Sequence, residues 1–295
     1  MKDRFGFILY RVFTAMIGVL PEPVMRRLGE GLGRAAWYIA PGRRRLVQRH
    51  LKRVLGQDAP VKERSKEMFA RYGRYWAEVF WLRPDRKAVI VEHSDIVNGE
   101  ALQRAKEAGK GIIIVLPHIG NWEVAGAAAE SIGVPVLAVA ESLPNPLVTE
   151  WFINVRKMVG IEIVLMGKGR SSTGALMRRL KEGGLVALLS DRDLAGRGVP
   201  VRFFGEETTM PAGPVALADK TGAPIHVVGC YFKNGRGHRF VVGEPLQLPT
   251  DGSRPERIAE GTQIFADALE DVIRVAPEDW HLFVPNWPSD RATTE

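Results

Sequence analysis

The chain has 295 residues, 45% hydrophobic and 25% charged, enough to bury a large core and too apolar for a disordered chain. Its single cysteine, Cys230, excludes an internal disulfide and a cysteine-based zinc cluster. The net charge of +7 is concentrated at one end: residues 1–60 carry twelve Lys/Arg against four Asp/Glu, a balance of +8, and the remaining 235 residues balance to −1. Such asymmetry points to an anionic surface, either membrane or nucleic acid.

Residues 5–20 are apolar apart from Arg11 and Thr14. The run is too short and interrupted to span a bilayer, and it has no small-residue cleavage site. Arg11 can reach toward headgroups while Phe5, Phe7, Tyr10 and Phe13 lie at the lipid boundary. After Pro21 and Pro23, helices are predicted over 24–39 and 43–55, the latter carrying Arg43, Arg44, Arg45, Arg49, Lys52 and Arg53. An apolar helix followed by cationic helices is the composition of a peripheral membrane anchor, each Lys/Arg contributing roughly 1 kcal/mol near an anionic leaflet. Few aromatics interleave with the arginines and no zinc, homeodomain or RNA-binding signature accompanies them, so no nucleic-acid partner is expected. Residues 60–82 read as a further helix whose Phe69, Tyr72, Tyr75, Trp76 and Phe80 recur at helical spacing, a core-packing pattern.

From Pro84 onward the texture alternates. Strands are predicted near 89–92, 111–116, 135–139, 162–166, 185–189, 201–204, 224–232 and 238–243. Helices are predicted near 99–108, 121–131, 145–159, 172–182, 212–221 and 254–274. This is the pattern of an α/β fold: a mostly parallel central sheet with helices on both faces, preceded by N-terminal membrane-associated helices. The expected organisation is a helical anchoring region over 1–83, an α/β core over 84–287 and a polar tail over 288–295. Cys230 sits in an apolar run and reads as a buried strand thiol.

Chemistry gathers where predicted strands end. Ile112 to Leu116 form an apolar run stopped by Pro117, followed by His118, a Gly120-Asn121 turn and a helix beginning Trp122-Glu123. His118 therefore occupies a loop at a strand's carboxyl end, where open α/β sheets bind ligands. Glu123, in the first helical turn, can reach a ring nitrogen of His118 and leave the other free to take a proton. A second apolar strand runs into Ser190-Asp191-Arg192-Asp193, charges that are costly beside a buried strand unless they pair or act. Asp191 is placed to meet His118 across neighbouring strands. Arg156 sits on a helix returning toward the same sheet end and can bind a phosphate or carboxylate. Phe203-Phe204-Gly205 and Met210-Pro211-Ala212-Gly213-Pro214 can wall an apolar groove, and the aromatic segment from Glu278 to Trp287 can close over the sheet.

There is no Gly-x-Ser-x-Gly elbow and no phosphate loop, and Gly29-Glu30-Gly31-Leu32-Gly33 follows no strand, so it is not a dinucleotide fingerprint. The histidines show no metal-ligand spacing, and no metal is expected. What remains is a histidine base without a nucleophile of its own, which suits direct transfer of an activated acyl group to a substrate hydroxyl.

In order and spacing, the blocks Pro117 to Glu123, Arg156, Asp191 to Leu194, Phe203 to Glu206, Met210 to Pro214 and Glu278 to His281 resemble the bacterial lipid A biosynthesis acyltransferase superfamily. They are most similar to its actinobacterial phosphatidylinositol mannoside branch. The resemblance implies a peripheral enzyme on the inner face of the cytoplasmic membrane, with acyl-CoA as co-substrate and no cofactor. The acceptor it implies is a mannose hydroxyl of a phosphatidylinositol mannoside glycolipid. It assigns His118 as general base, Glu123 as the acid that orients it, and Asp191 as a second active-site acid where this branch carries Glu. Arg156, Arg192, Asp193, Phe203, Phe204 and Trp122 fall to the substrate side. Lauroyl- or myristoyl-type transfer to a lipid A precursor, and a non-catalytic lipid-binding protein at the membrane surface, stay open as alternatives.

Overall fold

In a computed structural model of the chain, residues 2–166, 172–194 and 196–291 are described. Four helices come first: α1 (Lys2–Val19), α2 (Glu22–Ile39), α3 (Pro41–Leu55) and α4 (Val61–Trp81). Helices α2 and α4 cross where their backbones nearly touch. A Cβ on Gly33 would lie 2.1 Å from the Phe69 carbonyl oxygen, and one on Gly73 would lie 2.1 Å from that of Gly29. The glycine repeat in α2 thus serves helix packing. Tyr10 on α1 meets Phe80 and Trp151 edge-on, while Val12, Met16 and Val19 stay exposed. Among the described residues no helix is long and apolar enough to cross a membrane. Nor is this region packed separately: Trp37, Val47, Leu51, Met68 and Phe69 share one apolar core with the sheet.

The remainder runs α5 (Pro84–Glu92), β1 (Ser94–Val97), α6 (Glu100–Glu107), β2 (Ile112–Leu116), α7 (Trp122–Ser131), β3 (Val136–Ala140), α8 (Pro146–Met158) and β4 (Ile161–Leu165). Next come α9 (Ser172–Lys181), β5 (Leu185–Leu189), β6 (Val199–Phe203), β7 (Glu206–Met210), α10 (Gly213–Thr221), β8 (Ile225–Phe232), β9 (His238–Pro245), α11 (Arg254–Val275) and α12 (Pro288–Arg291). Among the described residues seven strands form one sheet in the order β1-β9-β8-β2-β5-β3-β4. Every neighbouring pair is parallel except β8–β9. Strands β2 and β8 are buried at every position, which their unbroken apolar sequences require of strands covered on both faces.

Three expectations change. Residues 89–92 belong to α5, and the strand starts only at Ser94. Pro84 at the helix start and Asp85 in its first turn favour a helix there. The segment at 201–204 is one arm of a separate hairpin, β6–β7. Its Phe204-Gly205 turn has φ of 49° and 77°, the primed geometry that matches strand twist. Finally, residues 288–291, read as part of a polar tail, form α12 and pack on the rest of the chain. Asp290 on α12 is buried and accepts from His50 Nε2 (2.9 Å), Arg53 Nη1 (3.0 Å) and the backbone N–H groups of Asn286 (3.0 Å) and Trp287 (3.2 Å). Residues 292–295 lie outside the described residues.

Candidate active site

Strands β2 and β5 end side by side. Their register pairs Leu116 with Leu189, so His118 and Asp191 each stand two residues beyond a strand end, at the same height. Gly120, at φ of 59°, lets the His118 loop turn against β8; a Cβ there would lie 2.1 Å from the Cys230 carbonyl oxygen. Asn121 then caps α7, accepting from Val124 N at 3.3 Å and donating to Glu78 at 2.8 Å.

His118 Nδ1 lies 2.6 Å from Asp191 Oδ1, and the His118 backbone N–H donates to Asp191 Oδ2 at 3.1 Å. A third donor, Trp280 Nε1, reaches Oδ2 at 2.8 Å. Asp191 is fully buried. Burial pushes its carboxyl up, but the adjacent His118 and the converging hydrogen bonds outweigh that and hold it at about 2. A carboxylate only accepts, so Nδ1 carries a proton and donates, and Nε2 is the ring nitrogen that holds the lone pair whenever the ring is uncharged. His118 lines a cavity of about 590 Å³.

Glu123 does not orient the ring. Its carboxylate takes three hydrogen bonds from Arg156, two from Nε at 3.0 and 2.9 Å and one from Nη2 at 2.6 Å. The first turn of α7 aims the Glu123 side chain at α8, whereas Asp191 comes from the strand beside β2. Arg156 and Trp122 both line the cavity, Trp122 edge-on to His118 at 5.4 Å between ring centroids. Arg192 lines it as well. Asp193 reaches the cavity wall, but its carboxylate closes its own loop, accepting from the N–H groups of Gly196 and Gly198 and from Thr209 Oγ1. Phe203 and Phe204 are not among the lining residues. Alternation along β6 turns Phe203 inward to stack on Trp287 at 5.7 Å, and the turn places Phe204 against Trp280 at 5.9 Å. Pro211, Gly213 and Pro214 do line the cavity.

Two groups reach the site whose roles the sequence does not assign, the first lying in the aromatic segment expected to close over the sheet. The segment from Glu278 to His281 bonds to the His118 loop: Gly120 N donates to the Asp279 carbonyl (2.8 Å) and His281 N to that of His118 (2.6 Å). This brings Trp280 to Asp191 and places His281 in the cavity wall. Both His281 ring nitrogens are buried and have no hydrogen-bond partner among the described residues. Burial, then the nearby His118 and Arg71, push the imidazole down to about 3, so it is neutral near pH 7. The second candidate is Glu78, which binds Arg74 Nε (2.7 Å), His238 Nε2 (2.8 Å) and the Asn121 amide in the core. Apart from Arg74, one helical turn from Glu78, their partners lie 43 to 163 residues away, beyond the reach of local spacing.

A smaller, apolar cavity of about 100 Å³ lies against the small residues Ala125, Gly126 and Ala129 of α7. It shares Trp122, Val139, Arg156 and Leu189 with the larger one. Among the described residues no group of His, Cys, Asp and Glu could hold a metal ion.

A histidine held by a buried carboxylate thus stands in the wall of the wide cavity, and Trp122, Val139, Arg156 and Leu189 link that cavity to the apolar one. Residues 1–289 match the sequence pattern of the family described as bacterial lipid A biosynthesis acyltransferase. The chain belongs to this family. This acyltransferase is 34% identical over 287 residues to the phosphatidylinositol mannoside acyltransferase of Mycolicibacterium smegmatis, covering 95% of this chain and 91% of that protein. It is 35% identical over 280 residues to the phosphatidylinositol mannoside acyltransferase of Mycobacterium tuberculosis H37Rv, with 93% and 86% covered. The lipid A biosynthesis lauroyltransferase of Escherichia coli K12 matches at 26% over 271 residues, covering 88% and 84%.

Proposed function

We propose that this acyltransferase moves a fatty acyl group from acyl-CoA to a mannose hydroxyl of phosphatidylinositol mannosides, with His118 as the general base. The observation that carries the reading is the His118–Asp191 pair at the wall of the large cavity, which leaves Nε2 as the proton acceptor. In this reading the acceptor hydroxyl gives its proton to Nε2 as its oxygen attacks the thioester carbon. The oxyanion that forms takes a hydrogen bond from the neutral His281 ring, whose N–H has no partner among the described residues. The C–S bond then breaks, the thiolate takes the proton back from Nε2, and His118 returns to its starting state.

Arg156, neutralised by Glu123, presents its remaining N–H groups to sugar hydroxyls, and Arg192 meets an anionic group of the donor. The apolar cavity beside Trp122 receives the start of the acyl chain; burying ~15 methylenes at ~0.8 kcal/mol each accounts for much of donor binding. The exposed apolar residues of α1 and the basic balance of residues 1–60 support a peripheral position on the inner face of the cytoplasmic membrane. The test mixes purified protein, palmitoyl-CoA and phosphatidylinositol mannosides, and follows free thiol and acylated lipid. Absence of acceptor-dependent acylation, or full activity in His118→Ala, overturns the proposal. The similarity to the lauroyltransferase makes a lipid A precursor the second acceptor to include.

A further inference from the structure

We propose that Trp280 is a positioning residue: through Asp191, its indole N–H fixes the orientation of His118 and moderates its basicity. The inference rests on the reading of His118 as the base. Three donors converge on the Asp191 carboxylate, and they divide unevenly. Among the described residues Oδ1 meets only the imidazole, at 2.6 Å, while Oδ2 takes the His118 backbone N–H at 3.1 Å and the indole at 2.8 Å. With Oδ2 anchored twice, the carboxylate cannot rotate about its Cβ–Cγ bond, so the plane in which Oδ1 meets the ring is set.

The indole itself has little freedom. Trp280 is fully buried, with Phe204 at 5.9 Å, His50 at 6.0 Å, Phe203 at 6.2 Å and Trp287 at 6.3 Å between ring centroids. The same segment holds the rest of the pair. Trp280 forms a backbone bridge with Ile119, His281 N donates to the His118 carbonyl at 2.6 Å, and Asn286 Nδ2 donates to the Asp191 carbonyl at 3.1 Å. One stretch of chain therefore grips both members of the pair. A tryptophan that served packing alone would not need its N–H aimed at the carboxylate.

The electrostatic sign follows. A donor on Oδ2 draws negative charge from Oδ1 and weakens its pull on a proton at the imidazole. Removing that donor should make His118 more basic. The other titratable side chains around it, His281, Arg156 with its partner Glu123, and Arg192, are left in place by a change at position 280.

The experiment compares the full-length wild type with Trp280→Phe, reading the His118 imidazole titration by NMR. The midpoint should rise by about half a pH unit. The acid limb of kcat should move by the same amount, with KM for palmitoyl-CoA unchanged. A folded Trp280→Phe protein with an unmoved His118 midpoint overturns the inference. Should Trp280→Phe fail to fold, the wild type decides: the Trp280 indole N–H resonance should titrate together with His118, and a resonance that stays flat through that midpoint overturns it. The titration needs no substrate. A shifted midpoint without transfer to phosphatidylinositol mannosides would therefore sink the proposed function and leave this inference standing.

Discussion

Replacing Asp191 with Asn should abolish turnover and leave the protein folded. The carboxylate accepts from three N–H groups: two on Oδ2, from Trp280 and the His118 backbone, and one on Oδ1, from His118 Nδ1. An asparagine offers one accepting oxygen and one donating amide. Turning the oxygen toward the two backbone and indole donors satisfies two hydrogen bonds; turning it toward the ring satisfies one. At about 1 kcal/mol per bond the first orientation wins. The amide then donates to Nδ1, and the ring must adopt the tautomer with its proton on Nε2. Such a ring cannot take a proton from a hydroxyl. Loss of the correct tautomer in this way costs roughly 10³–10⁴-fold in kcat. All three contacts remain bonded and one buried charge disappears, so stability should change by only about 1–2 kcal/mol. The assay is thiol release from palmitoyl-CoA with saturating acceptor, alongside urea unfolding. Retention of more than about a tenth of wild-type kcat would refute the tautomer argument.

Three further outcomes are expected. Burial, opposed by Arg71, lifts the Asp279 carboxyl to about 6, while His281 lies at about 3. The fold therefore holds a proton on Asp279 that the unfolded chain gives up above its ordinary 3.8, and stability from this group rises as pH falls from 6 to 3.8. His281 does the opposite, because below 6.5 the unfolded chain gains a proton that the fold refuses. The two slopes should cancel between about pH 4.5 and 6, and Asp279→Asn should expose a loss approaching ~1.4 kcal/mol per pH unit on acidification, read by urea unfolding. Gly33→Ala, with its Cβ 2.1 Å from a backbone oxygen, should cost about 3 kcal/mol. Gly31→Ala, which meets nothing within 4 Å, should be neutral or stabilising by about 0.5–1 kcal/mol; thermal melts compare the pair. Asp290→Ala takes a buried carboxylate away from His50, Arg53 and two backbone N–H groups and should cost about 3–5 kcal/mol in the same assay.

What was legible in the chain is what local pattern encodes. The apolar runs of β2 and β5 ending in charge mark two strand ends, and their adjacency brings Asp191 to His118. The choice of acid was not legible. His-x4-Glu places a carboxylate one helical turn from the ring, but α8 supplies Arg156, and a guanidinium outcompetes an imidazole for it. Strand β7 was hidden because Glu206-Glu207-Thr208-Thr209 is polar on both faces, as a hairpin outside the main sheet allows. Aromatics beside a glycine turn read as a cavity wall, but alternation along β6 sends Phe203 inward and the turn carries Phe204 against Trp280. Trp280 and His281 were readable only as an aromatic segment, since their roles arise from contacts across the length of the sheet.

Two opposite charges that meet inside a protein cannot be altered independently. Changing Glu123 or Arg156 alone leaves its partner buried and uncompensated, at about 3–5 kcal/mol, whereas exchanging both for apolar residues is nearly neutral for folding. Mutation therefore faces a valley between two viable states. In descendants of a common ancestor these positions should be inherited as a unit, with double replacements more frequent than either single one. Because the pair borders both cavities, any lineage that crossed the valley would also have changed what its site can hold.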